Sequence, residues 1–367
     1  MSDLRRSPLH DRHEALGAAF TPFGPWEMPL KYGNELDEHR AVRTAAGLFD
    51  LSHMGEIRVT GPDAAAYLDH TFISTLSTMP QHKAKYTMLV DEDGGILDDL
   101  IIYRLGEAEF LVVPNAGNTD VVWGAMQARA EGRDVTLANE SLDSALVAVQ
   151  GPRAEEILLS VVSDQDRATV ADMKYYTCAP VDVLGEEVLC ARTGYTGEDG
   201  FELITSNAHA PAVWDALLEA GRGHGIQPAG LAARDSLRLE AGMPLYGNEL
   251  TRDITPVEAG MSAVIQKKAV PFVGGAALVD REPSEYIIGM RGLGRRAARS
   301  GAEVYLDDEL IGHVTSGQPS PTLGYPIALA LLRTDVTGEG VELQVDIRGK
   351  RHPFEIVATP FYKRPQR

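Results

Sequence analysis

Tyr86-Thr87-Met88-Leu89-Val90-Asp91-Glu92-Asp93-Gly94-Gly95-Ile96-Leu97-Asp98-Asp99-Leu100-Ile101-Ile102-Tyr103 is the stretch on which the architecture turns. Two apolar runs of strand length flank five acidic and glycine residues, the pattern of an antiparallel hairpin. Phe110 to Val113 supplies a third strand, so 84–114 reads as a meander. Parallel strands would need long crossovers between them. Outward from this core, helix and strand patterns alternate. Glu35 to Leu48 reads as a helix with Leu36, His39, Val42 and Ala45 near one stripe. Glu56 to Val59 is a strand, and Pro62 to Leu68 starts a helix. A further helix turns Val122, Trp123, Met126 and Ala130 inward. Ala145 to Val149 is a strand, and Gly151-Pro152 opens a helix through Leu159. The mixture predicts α+β layers, not a doubly wound parallel sheet. No GxGxxG follows a strand, and GxxxxGK[ST] is missing too, so nucleotide-loop chemistry has no support. Beyond about residue 280 the pattern changes to six short strand candidates: Tyr286–Met290, Glu303–Leu306, Ile311–Val314, Ile327–Leu332, Val341–Ile347 and Phe354–Ala358. These predict a small β-barrel or sandwich, with a boundary near Asp280 to Pro283.

The chain has 367 residues, long for one core, so two or three domains are expected. No apolar run approaches the ~20 residues of a membrane helix. The start, Met1 to Arg6, has no apolar region of a leader. Cys178 and Cys190 form no metal spacing and read as core thiols in a reducing, cytoplasmic setting. The net charge of −19 argues against nucleic acid or anionic lipid as partner, since phosphate neutralisation needs clustered Lys and Arg. An anionic small molecule would need local arginines against that field.

Several residues carry chemistry. Asp98 and Asp99 sit inside an apolar strand whose alternation sends them to opposite faces. One can face solvent; the other then faces core or cleft, where a carboxylate needs a partner. The other reading is an edge strand wet on both sides. Arg192-Thr193-Gly194-Tyr195-Thr196-Gly197-Glu198-Asp199-Gly200-Phe201-Glu202 reads as a tight polar loop between strands. Its glycines permit positive φ and close approach of a ligand. Glu202 at its lip can accept two parallel hydrogen bonds from a planar N–H/NH2 edge; the plainer reading is a solvated hairpin with acids facing water. Asn115 reads as a turn former or a ligand donor. Arg234 and Arg238, four apart on a helix, make a surface stripe or a carboxylate clamp. Arg295, Arg296 and Arg299 make an anion site or a contact to another domain's acids. His10 and His13 lack a third metal ligand and read as a surface pair. His53 has no acid partner by spacing. No Ser/His/Asp constellation and no zinc pattern is present.

Taken in order, these segments resemble the aminomethyltransferase family, the T-proteins of the glycine cleavage system. The resemblance runs through Phe23–Leu30, Gly47–Gly55, Asp93–Leu100, the loop ending at Glu202, Pro228–Asp235, Pro244–Leu250, Thr255–Gly260, Ser316–Gly324 and Pro360–Lys363. It implies a multi-layer α+β folate-binding fold with ferredoxin-like elements plus a C-terminal small barrel. Two intertwined subdomains would fill 1–280, with 55–135 forming much of one, and the barrel 281–367. It further implies tetrahydrofolate as acceptor and the lipoylated H-protein as partner, with ammonia and methylenetetrahydrofolate as products. The resemblance makes Asp99 the essential acid and Glu202 the reader of the pteridine edge. Arg234, Asn115, Met54, Tyr195, Tyr176 and Tyr362 are the matching folate-site residues. Met261-Ser262-Ala263-Val264 and Lys267–Pro271 depart from the family pattern at one expected pocket wall, and Pro114 departs beside Asn115. The same fold serves folate-dependent demethylases and regulatory folate binders. The presence of Asp99 and the lack of an attached flavoprotein domain favour the transferase.

Overall fold

The computed structural model describes residues 4–336 and 338–365. The first three residues of the N-terminal segment, with 337, 366 and 367, lie outside the described residues. Contacts divide the chain into two units, Met1–Thr71 with Thr75–Thr87 and Asp99–Arg234, and Phe72–Ser74 with Met88–Asp98 and Asp235–Arg367.

The hairpin forms as its pattern dictates. Strands Ala84–Val90 and Ile96–Arg104 flank a turn in which Asp91 Oδ1 accepts from the backbone N–H groups of Asp93 (3.1 Å) and Gly95 (2.9 Å). This side chain replaces a backbone turn bond. Gly94 takes φ +87°, open to glycine without strain. Glu109–Val113, Ile57–Thr60 and Thr136–Asn139 complete a five-stranded sheet in the order hairpin, third strand, Ile57–Thr60, Thr136–Asn139. Ile101 lies opposite Val113 and Tyr103 opposite Leu111.

A second, six-stranded sheet of the first unit runs Cys178–Val183, Glu186–Ala191, Gly200–Ser206, Ser144–Gln150, Ala46–Asp50, Ile226–Pro228. Only its last pair is parallel. Leu48, Val147, Phe201, Leu203, Trp214 and Leu217 anchor the core between this sheet and its helices. Here one expectation fails. The helix ends at Thr44, and Ala46–Asp50 is a strand. Gly47 is the cause: a Cβ there would meet Val42 Cγ2 at 2.4 Å, and its backbone lies between Gln150 and Gln227. Leu36 is exposed; the buried stripe is Glu38, His39, Ala41 and Val42. Glu38 is drawn inward because its carboxylate accepts from the backbone N–H of Tyr32 (2.7 Å), Gly33 (3.1 Å) and Gly230 (2.9 Å).

His10 and His13 are likewise buried, not a surface pair. His13 bonds Asp50 (2.8 Å) and the Tyr32 hydroxyl (2.8 Å), so a core acid recruits it. Cys178 and Cys190 are free, buried thiols.

In the second unit, Glu285–Gly292, Pro326–Arg333, Glu309–Pro319, Glu303–Leu306, Glu342–Asp346 and Arg351–Val357 close into a barrel in that order. Closure removes the sheet edges. Met290, Val314, Ala330, Leu332, Val345 and Phe354 fill its interior from alternate positions. Among the described residues, no helix is long and apolar enough to cross a membrane.

Candidate active site

Neither aspartate of the central strand meets water: Asp98 is 0% and Asp99 8% exposed. The wet-edge reading is therefore excluded, because this strand lies between two others. Asp99 is held from both neighbours. The Tyr86 hydroxyl donates to its Oδ2 at 2.9 Å. Asn115 Nδ2 donates to its Oδ1 at 3.0 Å and to its backbone oxygen at 2.7 Å. Asn115 can do so because it lies two residues beyond the third strand of the meander, Glu109–Val113, which pairs with the strand of Asp99. Burial pushes the Asp99 carboxyl up to about 6, against hydrogen bonds from Tyr86, its own backbone and Asn115 and the positive charge of Arg234. At neutral pH it is ionised, yet it can exchange a proton within the physiological range.

The loop after strand Glu186–Ala191 closes on Gln150 of the adjacent strand. Gln150 Nε2 donates to Thr193 O (3.0 Å), and Thr196 Oγ1 donates to Gln150 Oε1 (3.0 Å). This explains two of its glycines. A Cβ at Gly194 would sit 2.0 Å from Gln150 Oε1, and one at Gly200 would sit 2.5 Å from Gln150 Cδ. The close approach expected of a ligand at those glycines is made by Gln150; only Gly197 needs positive φ, at +79°. The loop's acids do not face water either. Glu198 pairs with buried Arg43 (3.0 Å), and Asp199 with Arg192 (3.0 Å).

Glu202 remains as the carboxylate without such an ion-pair clamp. Its neighbours across the sheet are two small residues, Ala148 and Ala191, which leave room beside it. Its Oε2 accepts from the Thr193 hydroxyl and from Tyr103 OH (3.3 Å). Burial raises its carboxyl above the ordinary range, and Thr193, Arg234 and Tyr103 oppose that rise.

Tyr103 links the two acids. Four residues beyond Asp99 on one strand, it lies on the same face, roughly 13 Å along, and ends at Glu202. Arg234 bridges them electrostatically, since its charge lowers both carboxyls. Its guanidinium lies 4.6 Å over the Tyr195 ring. Tyr86 is influenced by Asp99, Tyr195 and Tyr176, and Tyr176 by Glu202. Direct contacts thus join Asp99 to Tyr86 and Asn115, Glu202 to Tyr103 and Thr193, and Arg234 to Tyr195. Met54 lines a cavity of about 40 Å³ beside His53. That histidine is buried against Phe23, and burial together with Arg234 pushes its pKa down to about 3. Tyr362 belongs to the second unit, where its backbone N–H donates to Glu240 O (2.8 Å).

Arg238 does not form a surface stripe with Arg234: it is 1% exposed and ion-paired with Glu249 at 2.9 Å. Arg296 and Arg299 line a barrel cavity of about 600 Å³ with Arg348 and Asp346. Lys268, within the departing Lys267–Pro271 segment, donates to Phe72 O and Ser74 O, each at 2.7 Å. Sequence reasoning passed over Tyr86, Tyr103 and Thr193. Strand alternation from Asp99 to Tyr103 was the available signal for one of them; the other two depend on register between strands.

The mixed α+β region and the closed six-stranded barrel are each matched by a family model. Residues 9–269 match the family described as GCVT N-terminal domain, and 287–363 the Glycine cleavage T-protein C-terminal barrel domain. The chain belongs to the glycine cleavage T-protein family. It is 62% identical over 368 residues to the aminomethyltransferase of Corynebacterium aurimucosum, covering 99% of this chain and 100% of that one. The aminomethyltransferase of Saccharopolyspora erythraea is 52% identical, with 99% and 100% covered. A crystal structure of glycine cleavage system aminomethyltransferase T from Bartonella henselae superposes with a TM-score of 0.91 at 34% identity, covering 99% of each chain.

Proposed function

We propose that this aminomethyltransferase holds tetrahydrofolate between Glu202 and Asp99 and uses the two acids for different ends. The reaction belongs to glycine cleavage. The aminomethyl carbon, carried as a thioether on the dihydrolipoyl arm of the H-protein, passes to tetrahydrofolate. Two C–N bonds form, at N5 and N10 of the folate. The bonds from carbon to the amine and to sulfur break. The two folate N–H protons end on ammonia and on the freed thiol, giving 5,10-methylenetetrahydrofolate.

In this reading the Glu202 carboxylate accepts from the planar N–H/NH2 edge of the pteridine. Tyr195, Tyr176 and Met54 supply walls, and Arg234 steadies both acids. Asp99, fixed by Tyr86 and Asn115, accepts a hydrogen bond from a reacting folate nitrogen and raises its nucleophilicity. Tyr362 is a further folate-site residue of the same proposal. The division into 1–280 and 281–367 is part of the same proposal. So are a cytoplasmic setting, the lipoyl group as the recognised part of the H-protein, and the lack of a nucleic acid partner, which the net charge of −19 supports.

The observation that carries the reading is that Tyr103, on the same strand and face as Asp99, donates to Glu202 (3.3 Å). The test is ammonia release from aminomethyl-lipoyl H-protein with tetrahydrofolate present. Turnover with a small sulfonium donor, and none with the H-protein, overturns it in favour of a demethylase.

A further inference from the structure

A cavity of about 510 Å³ in the first unit holds an acid that the transfer reaction does not use. Leu105, Leu111, Leu189 and Ile204 give it an apolar wall. Glu56, just before strand Ile57–Thr60, lines it while fully buried. Neither of its carboxylate oxygens bonds any described residue. A buried carboxyl group without a partner is strongly destabilising. Its burial, with Glu140 close by, pushes the Glu56 carboxyl well above the usual range.

The groups around it leave it no cation. Arg58, on the same strand, is committed to Glu140 through Nε (2.7 Å) and Nη2 (3.0 Å) and to Glu109 through Nη1 (2.6 Å). Asp143 follows Glu140 in its loop, and Glu187 enters from strand Glu186–Ala191. His82 stands at the exposed rim. The field over Glu56 is therefore negative, and the wall opposite is aliphatic.

We propose that this cavity binds a small protonated primary amine with an alkyl tail, the ammonium on Glu56 and the tail on the leucine wall. The bound cation favours the ionised carboxylate, the form that burial alone disfavours. Affinity accordingly rises with pH through the range where free Glu56 is still protonated. The assignment is independent of the folate reading.

Isothermal titration with n-butylammonium chloride, at constant ionic strength and at pH 6 and pH 8, tests it. Saturable 1:1 binding is expected, tighter at the higher pH. Glu56→Gln keeps the shape of the side chain and cannot ionise. It is expected to weaken binding at pH 8 ~10-fold or more and to remove the rise of affinity with pH. Glu187→Gln at the mouth lowers affinity only about twofold, because its charge is solvent-screened. Should Glu56→Gln fail to fold, the pH dependence of the wild type still decides. The proposal is overturned if n-butylammonium does not saturate, if Glu56→Gln binds it as well as wild type, or if wild-type affinity does not rise with pH. It is equally overturned if ammonium chloride binds as tightly, since the leucine wall would then contribute nothing.

Discussion

The strand that carries Asp99 and the loop that delivers Glu202 bury carboxylates differently. Asp99 sits mid-strand in a five-stranded sheet and receives side-chain donors from both sides, Tyr86 and Asn115. Its position is fixed on every side, and burial still raises its carboxyl to about 6. Glu202 stands near the start of its strand, between two alanines, half-buried, with Thr193 and Tyr103 on one oxygen. The first arrangement suits an acid that must be rigid and near its titration point. The second suits an acid that keeps room for an incoming donor edge. Rigidity is supplied by the sheet in one case and by the Gln150 latch in the other.

Asp99→Asn separates the two roles most sharply. The amide keeps the size of the side chain but loses the charge, so turnover is expected to fall ~100-fold or more with folate affinity little changed. Stability moves the other way. The folded carboxyl titrates at about 6, above an ordinary aspartate, so between pH 4 and 6 the folded state binds more protons than the unfolded one. Stability from this group is therefore lost as pH rises through that window. At pH 7 the asparagine variant is expected to be more stable, on the order of 2–3 kcal/mol at most. A melting curve of equal or lower midpoint at pH 7, with full turnover, breaks the assignment of Asp99.

Glu202→Ala probes the other side of the contrast. Loss of one charge-assisted pair of hydrogen bonds is expected to weaken tetrahydrofolate by about 2–3 kcal/mol, or roughly 30- to 150-fold. Turnover at saturating folate is expected to change much less. Equilibrium binding to the two proteins measures it; equal affinities would remove Glu202 from the pterin edge.

The contrast also marks what the chain displayed before any coordinates. The hairpin, its Asp91 turn and the barrel strands were legible because alternation and turn chemistry are local signals. The strand Ala46–Asp50 was not, since the length of the preceding helix is decided by Gly47 packing on Val42 and by pairing with distant Gln150 and Gln227. Asp99 and Glu202 stood out as acids in unusual company. Their supporting cast did not: Tyr86 and Thr193 acquire meaning only from register. The acids of the 192–202 loop looked solvated because Arg43, the partner of Glu198, lies 155 positions away.

The latch beneath Glu202 has a smaller but testable effect. Gly194→Ala would push a Cβ into Gln150 Oε1. Gln150 must then move, loosening its bonds to Thr193 and Thr196. Overpacking of this kind costs about 1–3 kcal/mol. Denaturant unfolding is expected to show that loss, and Gln150→Ala in the same chain is expected to recover part of it by making room. If the double variant is as unstable as the sum of the two single variants, the glycine is not there for Gln150.

Tyr86→Phe gives the finest test, because it changes only how Asp99 is held. The tyrosine hydroxyl favours the ionised carboxylate, and Asn115 and Arg234 remain to do the same. Losing one hydrogen bond to a charged group leaves burial less opposed, so the Asp99 carboxyl rises further, by about one unit. The acid limb of kcat/KM against pH is then expected to shift upward by that amount, with the rate well above the limb reduced less than tenfold. A uniform loss at all pH values, with the limb in place, would mean that Tyr86 supports the sheet and does not tune the acid. That outcome would also weaken the contrast itself, since rigidity at Asp99 would then come from the strand alone and not from its donors.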